Sequence, residues 1–548
     1  MDEQPAPRHR WISYLPVLVA LLSVVSATLL IVATYPVFSQ TYDEGQHMAA
    51  GMEWLERGTY TYETMTPPLA RVALAIGPYL AGARLQGNAK VWDEGNAILE
   101  YQGHYQRTLT LARLGTLPFF WLACLVLWFF VARSWGQWQA ALSIVLFAFC
   151  PPILANASLA TVDMAVTAMF LLALVCFWRF LQEPKLSLAI FSGITIALAM
   201  LCKLSAVPYL GISCLALYLY SLVENKRVPP WKYIGIGGLA IALTIWAGYR
   251  FSVGSILHPG QLSPLEMEHL GRLPAGLARV FFFPGVPAPA FFKGLSHAFG
   301  LTEARENGYL LGENYRGGRW YFFPIAIAVK TPISLLLLAM VGAVRAAIRP
   351  RLRNGIVLLV GIAGPLLVAM AGNANLGLRY VLEIYPFLAI LGGYALVWLW
   401  QLSSGRVKLP IYRTLAILLV IWNIVSCVRA TPDFIPYFNE IAAPYGSKIL
   451  VDSDFDWGQD LNRLSTVLHQ RHIDSIWIAY EGSADLDRRG LPYWQPLLPN
   501  QRPSGWIAIS EFKLKTLPQD FGWLEQYRPT QIVGKTIRLY HFDIAPAS

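Results

Sequence analysis

With 548 residues, 55% of them hydrophobic and only 14% charged, the chain is too apolar for an ordinary soluble protein. Its apolar residues come in blocks of about 20, the length that crosses a bilayer core, so a polytopic α-helical membrane protein is the expected class. The net charge of +10 could suit nucleic acid, but Lys and Arg in such a protein collect in cytoplasmic loops, and that distribution explains the excess without nucleic acid.

The charged lead of residues 1–10 runs into a first apolar stretch, 11–38. That stretch exceeds a signal-peptide core and has no small-residue cleavage site, so it reads as an uncleaved anchor. Just beyond it stands the sequence from Thr41 to His47, with Asp43 and Glu44 adjacent where the chain leaves the membrane. Residues 67–85 are apolar but carry Pro67, Pro68, Pro78, Arg71 and Arg84, a pattern for a helix lying at the membrane surface. Further spans are expected over 109–131, 137–155, 162–180, 186–202, 204–223, 233–251, 321–344, 355–371, 380–400 and 412–428, about eleven in all.

With Arg8 and Arg10 on the cytoplasmic side, every inner connection is basic: Arg133; Arg179 and Lys185; Lys226, Arg227 and Lys232; Arg345, Arg349, Arg351 and Arg353; Arg406 and Lys408. The same topology puts outside a long first loop (40–107), a second (252–320), a short turn at 372–378 and everything after Arg429. The second loop is rich in aromatics and proline, including Phe281 to Pro284 and Phe291 with Phe292. It reads either as an interfacial belt or as a lid over a lipid substrate. From residue 431 the charge density becomes that of a soluble domain, with a helical stretch at 457–471 and β-rich runs at 476–480, 506–510 and 536–542. The expected division is therefore a membrane part, 1–430, and a small extracytoplasmic α/β domain, 431–548. In that domain Trp457 and Trp477 read as core. All six cysteines lie in apolar runs and read as core filling.

Ionisable groups inside or at the rim of a span are expensive, so each needs a reason. Asp163 opens the fourth span, Lys203 separates the fifth and sixth, Lys330 lies within the eighth, and Arg379 and Glu383 open the tenth. Together with Asp43 and Glu44 they fall on the outer half. Acids and cations gathered on one face suit transfer from a donor whose leaving group is a lipid-borne phosphate. The departing anion needs Lys or Arg beside it, whereas the incoming hydroxyl needs a carboxylate to take its proton. Asp43 as base and Lys203, Lys330 and Arg379 as a phosphate clamp would divide the work in that way. A buried acidic neighbour, Glu44 or Asp163, would sharpen Asp43 as a base through like-charge repulsion. The plainer readings stand beside these. Thr41 with Glu44 has capping-box spacing, Asp163 also suits a helix start, and Lys203 and Arg379 could snorkel to the interface. Asp43 and His47 could share a helical face as metal ligands, but two ligands fall short of a site, and no cofactor is implied. The acids from Asp452 to Asp460 lack the spacing and glycine of a calcium loop.

Taken in order, the first-loop acids, Pro67-Pro68-Leu69, Ala112-Arg113-Leu114 and Thr161-Val162-Asp163 form a familiar set. It continues with 193–203, Tyr321 to Pro324, Val329 to Pro332, Gly377 to Tyr380 and Tyr385-Pro386. The set resembles the polyprenyl-phosphate-dependent GT-C glycosyltransferases, within them the protein O-mannosyltransferase and aminoarabinose-transferase group known as family 39. Tyr437 to Glu440 and Asp452 to Leu461 resemble a bacterial branch of that group with a soluble C-terminal domain. The resemblance implies an inverting transfer from an isoprenoid-phosphate sugar on the non-cytoplasmic face of the cytoplasmic membrane. It implies Asp43 as base, Glu44 and Asp163 as acidic neighbours, and Lys203, Lys330, Arg379 and Tyr380 around the donor phosphate. The acceptor would be a lipid, protein or glycan. Two positions depart from the family: Thr66 stands where His is usual before Pro-Pro-Leu, and Glu383 where Pro is usual. The rival reading is a transporter or flippase of a lipid-linked sugar, which would keep the phosphate clamp without a base and place its charges at mid-bilayer between repeated halves.

Overall fold

A computed structural model describes residues 10–225, 229–257, 267, 271, 281–303, 307–348, 354–403 and 410–546. Among the expected inner-loop cations, Arg8, Lys226, Arg227, Arg349, Arg351, Arg353, Arg406 and Lys408 lie outside the described residues, as does much of the aromatic second loop.

The described residues are mostly helical, and seven helices are long and apolar enough to cross a membrane: Tyr14–Thr34, Tyr105–Trp135, Asp163–Gln182, Ala206–Glu224, Trp231–Gly248, Leu378–Leu402 and Ile411–Ala430. Two more spans arise if bent pairs are joined. Gln137–Ala148 meets Pro151–Ala157 at 68°, and Phe322–Lys330 meets Ile333–Ile348 at 116°. Both pairs were expected as single spans, the second with a kink suggested by Pro332. Each break falls at a proline, Pro151 and Pro332, which ends the preceding hydrogen-bond ladder. The expected spans at 186–202 and 355–371 are helical over those same residues, 17 each. Leu186–Cys202 packs between Asp163–Gln182 and Trp231–Gly248, while Ile333–Ile348 packs along Tyr385–Leu402. One continuous apolar core joins these helices.

The first outer loop folds as three short helices, Glu44–Arg57, Pro68–Leu80 and Val91–Leu99. The helix expected over 67–85 forms as Pro68–Leu80, with Ile76 and Leu80 exposed. It packs on Glu44–Arg57 and Tyr105–Leu114, and its Arg71 is fully buried. Gly51 makes that packing possible, because a Cβ there would collide with the backbone carbonyl of Arg71. In the second loop, β1 (Val253–Gly254) pairs antiparallel with β2 (Val286–Pro287). After the helix Pro289–Glu303, β3 (Asn307–Leu310) and β4 (Glu313–Arg316) form a hairpin. Phe291 is buried against the Tyr60 and Tyr249 cluster, whereas Phe283 is exposed.

At the C-terminus β5 (Ser475–Ala479), β6 (Tyr493–Pro496), β7 (Gly505–Ser510), β8 (Gln531–Val533) and β9 (Ile537–Phe542) form one sheet in the order β6-β5-β7-β9-β8. The pairs β6-β5 and β5-β7 are parallel; β7-β9 and β9-β8 are antiparallel. One face packs on the helix Leu461–Gln470 and the other on residues 514–524, giving two small cores. Composition changes at 431, but packing changes later. Phe434, Ile435, Phe438, Phe455 and Trp457 belong to the membrane-side core.

Candidate active site

Four of the charged residues singled out in the sequence meet in one place. Asp43 precedes the Glu44–Arg57 helix, Asp163 begins Asp163–Gln182, Lys203 follows Leu186–Cys202, and Arg379 opens the Leu378–Ile384 turn of 3-10 helix. Arg379 Nη1 donates to Asp43 Oδ2 at 2.8 Å and lies 4.0 Å from Asp163 Oδ2. Lys203 Nζ donates to Asp163 Oδ1 at 2.6 Å. The Tyr380 ring lies under both cations, 4.3 Å from Lys203 Nζ and 5.4 Å from the Arg379 guanidinium carbon. Asp163 is fully buried, while the side chains of Asp43, Arg379 and Lys203 are 14–15% exposed. The three therefore present a partly open, mixed-charge face backed by a buried acid. Asp43 keeps its second oxygen on Gln46 Nε2, 3.0 Å away. Neither Lys203 nor Arg379 snorkels away from the protein.

Glu44, although next to Asp43, is committed elsewhere. Its carboxylate takes a bidentate pair from Arg113 at 2.8 and 2.9 Å, the amide of Thr41 at 2.8 Å and the amide of Ala160 at 2.7 Å. Asp43, not Thr41, is the N-cap, and the Thr41 hydroxyl has no partner, so the capping box suggested by the spacing does not form. Both Glu44 and Arg113 are fully buried, and removing one partner of such a pair typically costs about 3–5 kcal/mol. Glu44 thus fixes the start of its helix against Tyr105–Leu114 and the segment before Asp163, rather than adding charge beside Asp43.

Lys330 also stands apart. It is buried and donates to the carbonyls of Ile435 at 2.7 Å and Asp454 at 2.5 Å, with Phe438 under its ammonium. It staples the segment after the last span onto the membrane part. His47 turns to Arg71, whose Nε lies 3.0 Å from its Nδ1. Burial, and next the charge of Arg71, hold its pKa well below the usual histidine value. Among the described residues no group of three His, Cys, Asp or Glu is placed to hold a metal ion. Glu383 is fully buried near Lys203 and Asp163, and neither carboxylate oxygen has a hydrogen-bond partner.

The loop from Asp452 to Asp460 completes the site. The Trp457 ring lies 4.4 Å from the Arg379 guanidinium carbon, so Trp457 caps the cluster instead of filling the soluble core. Backbone bonds tie the loop to the first outer loop: Ser39 N to Gln459 O and Tyr42 N to Trp457 O, both 3.0 Å. The Asp454 carboxylate accepts the Leu378 amide at 3.1 and 3.2 Å, beside Arg379. Gly377 has φ +114°, and a Cβ there would meet Ser453 Oγ, so the two loops touch only because it is glycine. Burial raises the pKa of Asp452 to about 7 despite the opposing charge of Arg379, and that of Asp456 to about 8 against the amides of Phe512 and Gly458. The acids of this loop were legible in the sequence, but their docking onto Arg379 was not. The crowding of four Asp, one Trp and one Gly between Asp452 and Asp460 was its one signal.

Residues 107–248 match the family model of dolichyl-phosphate-mannose-protein mannosyltransferase. No curated protein matches the chain in sequence. Among solved structures the chain is similar to ArnT from Cupriavidus metallidurans bound to undecaprenyl phosphate, with 13% identity, TM-score 0.49, and 96% of this chain and 99% of that one covered. It is also similar to the Archaeoglobus fulgidus oligosaccharyltransferase tethered with an acceptor peptide, with 12% identity, TM-score 0.49, and 94% and 72% covered. The stretch from 107 to 248, which carries Arg113, Asp163 and Lys203, is thus the part of the chain that matches the dolichyl-phosphate-mannose-protein mannosyltransferase family.

Proposed function

We propose that the chain is a membrane glycosyltransferase that moves a sugar from a polyprenyl-phosphate donor to an acceptor nucleophile, with inversion, on the outer face of the cytoplasmic membrane. The observation that carries this reading is Arg379 Nη1, placed between the carboxylates of Asp43 and Asp163 with Lys203 on the same Asp163. The donor phosphate sits against Lys203 and Arg379, which already face a partly open surface. Asp163 orients both cations from behind. The acceptor oxygen attacks the sugar carbon and gives its proton to Asp43, while the bond from that carbon to phosphate oxygen breaks. The electron pair leaves on the lipid phosphate, where the two cations stabilise it. The N-terminus is cytoplasmic and the C-terminal domain extracytoplasmic. The match over 107–248 supports the donor chemistry, since that family's name specifies a lipid-phosphate sugar.

The test is Asp43→Asn, assayed by mass spectrometry of envelope lipids and glycoconjugates from cells carrying either form. Transfer should fall by about 10²–10⁴-fold, the range of a lost general base, with undecaprenyl phosphate binding kept. Wild-type product levels in the variant would remove the base.

A further inference from the structure

His47 is buried in the helix Glu44–Arg57 and takes no part in the proton transfer or the phosphate contacts proposed above. It stands one turn after Asp43, and its amide donates to the Asp43 carbonyl at 3.1 Å, so the two side chains leave the same face of the helix.

Arg71 fixes which ring nitrogen carries the proton. Its Nε donates to His47 Nδ1 at 3.0 Å, and an arginine has no acceptor to offer, so the proton of the neutral ring sits on Nε2. Arg71 is itself held in place: its Nη1 donates to Tyr60 Oη and to the carbonyl of Glu63, both at 3.1 Å, and its Nη2 pairs with the Glu63 carboxylate. Burial first, then the positive charges of Arg71, Arg379 and Lys203, oppose a second proton on the ring. His47 is therefore a poor acid or base and a fixed N–H donor.

That donor is unused within the protein. His47 Nε2 has no hydrogen-bond partner among the described residues, yet it is not one of the sealed polar atoms left without a partner, so the 4% of the residue that stays open includes it. Beyond Arg71, the charges that act on the ring belong to Arg379 and Lys203, the two cations of the partly open face on which Asp43 lies.

We propose that His47 is a third holder of the donor phosphate, its Nε2–H donating to a phosphate oxygen alongside Lys203 and Arg379. The proposal deepens the transfer reading above and rests on it. An uncharged donor suits this place, because a further positive charge one turn from Asp43 would lower the proton affinity of that carboxylate and weaken it as a base. The attacking oxygen is a poor target for the same N–H, since it needs its lone pair for the sugar carbon.

Purified full-length wild type, His47→Asn, His47→Gln and Arg379→Ala are titrated with undecaprenyl phosphate, and their melting is followed in parallel. The short asparagine amide can still accept from Arg71 but does not reach the place of Nε2; the longer glutamine amide carries a nitrogen there. The expected result is binding weakened about ten- to hundredfold in His47→Asn, the range of one hydrogen bond to a charged group, and restored to within about threefold of wild type in His47→Gln. A purely structural role would leave His47→Asn at wild-type affinity, and that result overturns the proposal, whatever happens to transfer. Equal loss in both variants also overturns it. If His47→Asn does not accumulate, His47→Glu takes its place: its carboxylate also accepts from Arg71 but has no proton for the phosphate, so affinity equal to that of His47→Gln overturns the proposal. Arg379→Ala separates the two readings. Unchanged binding there removes the phosphate clamp and the transfer reading with it, whereas weakened binding there beside wild-type affinity in His47→Asn removes His47 alone.

Discussion

Asp43 and Glu44 are neighbours in sequence, yet one faces Arg379 at the partly open surface and the other is locked to Arg113 in the core. Successive residues at a helix start point about 100° apart, so adjacent acids seldom share a task. The sequence identified both as candidates because both are costly at a membrane rim; it had no means of knowing which cation each would meet. Asp163, Lys203 and Arg379 were legible for the same reason, since each is an ionisable group that a span end must accommodate. Lys330 shows the limit of that argument, because backbone carbonyls can satisfy a buried ammonium as well as a ligand phosphate can. Arg379→Ala and Lys203→Ala should each weaken undecaprenyl phosphate binding by about 10- to 100-fold, in line with about 1.5–3 kcal/mol for a hydrogen bond to a charged group. Titration of the lipid phosphate into purified protein checks this. Variants that bind the lipid normally but lose acceptor affinity would show the clamp to be misplaced.

At the scale of elements, the length of the apolar runs located the membrane helices and Pro332 suggested one kink, but the break before Pro151 and the angles of 68° and 116° arise from packing that a linear pattern does not contain. In the soluble domain the expected strands at 476–480, 506–510 and 536–542 correspond to β5, β7 and β9 within a residue or two, whereas β6 and β8 were missed. Those two are only four and three residues long, too short for an alternating pattern to register. The loop after Asp452 depends on Lys330 for part of its anchorage. Lys330→Met should therefore speed hydrogen exchange at residues 454–457 while leaving β7 and β9 protected. Equal exchange in both forms would deny the staple. Asp456 adds a dependence on pH. Its carboxyl has a folded pKa of about 8, above its ordinary 3.8, so the folded form binds the proton more tightly. The stability it contributes is full below pH 3.8 and is lost as pH rises through about 8. Melting of the soluble domain followed between pH 5 and 9 should decline less steeply in Asp456→Asn than in wild type.

For the whole molecule, the topology proposed from the basic inner connections has the sheet domain outside, and that proposal has a direct check. Thr466 is exposed on the helix Leu461–Gln470, and the native cysteines are all buried or half-buried. Thr466→Cys should react with a membrane-impermeant maleimide in intact cells to nearly the extent seen after lysis. Reaction only after lysis would invert the topology. Chain order also bears on how this site is assembled. Arg379 is synthesised with the tenth predicted span, but the indole that covers it, Trp457, emerges later and on the far side of the final helix. A chain that ends before the tail therefore leaves the Arg379 guanidinium without its aromatic cover.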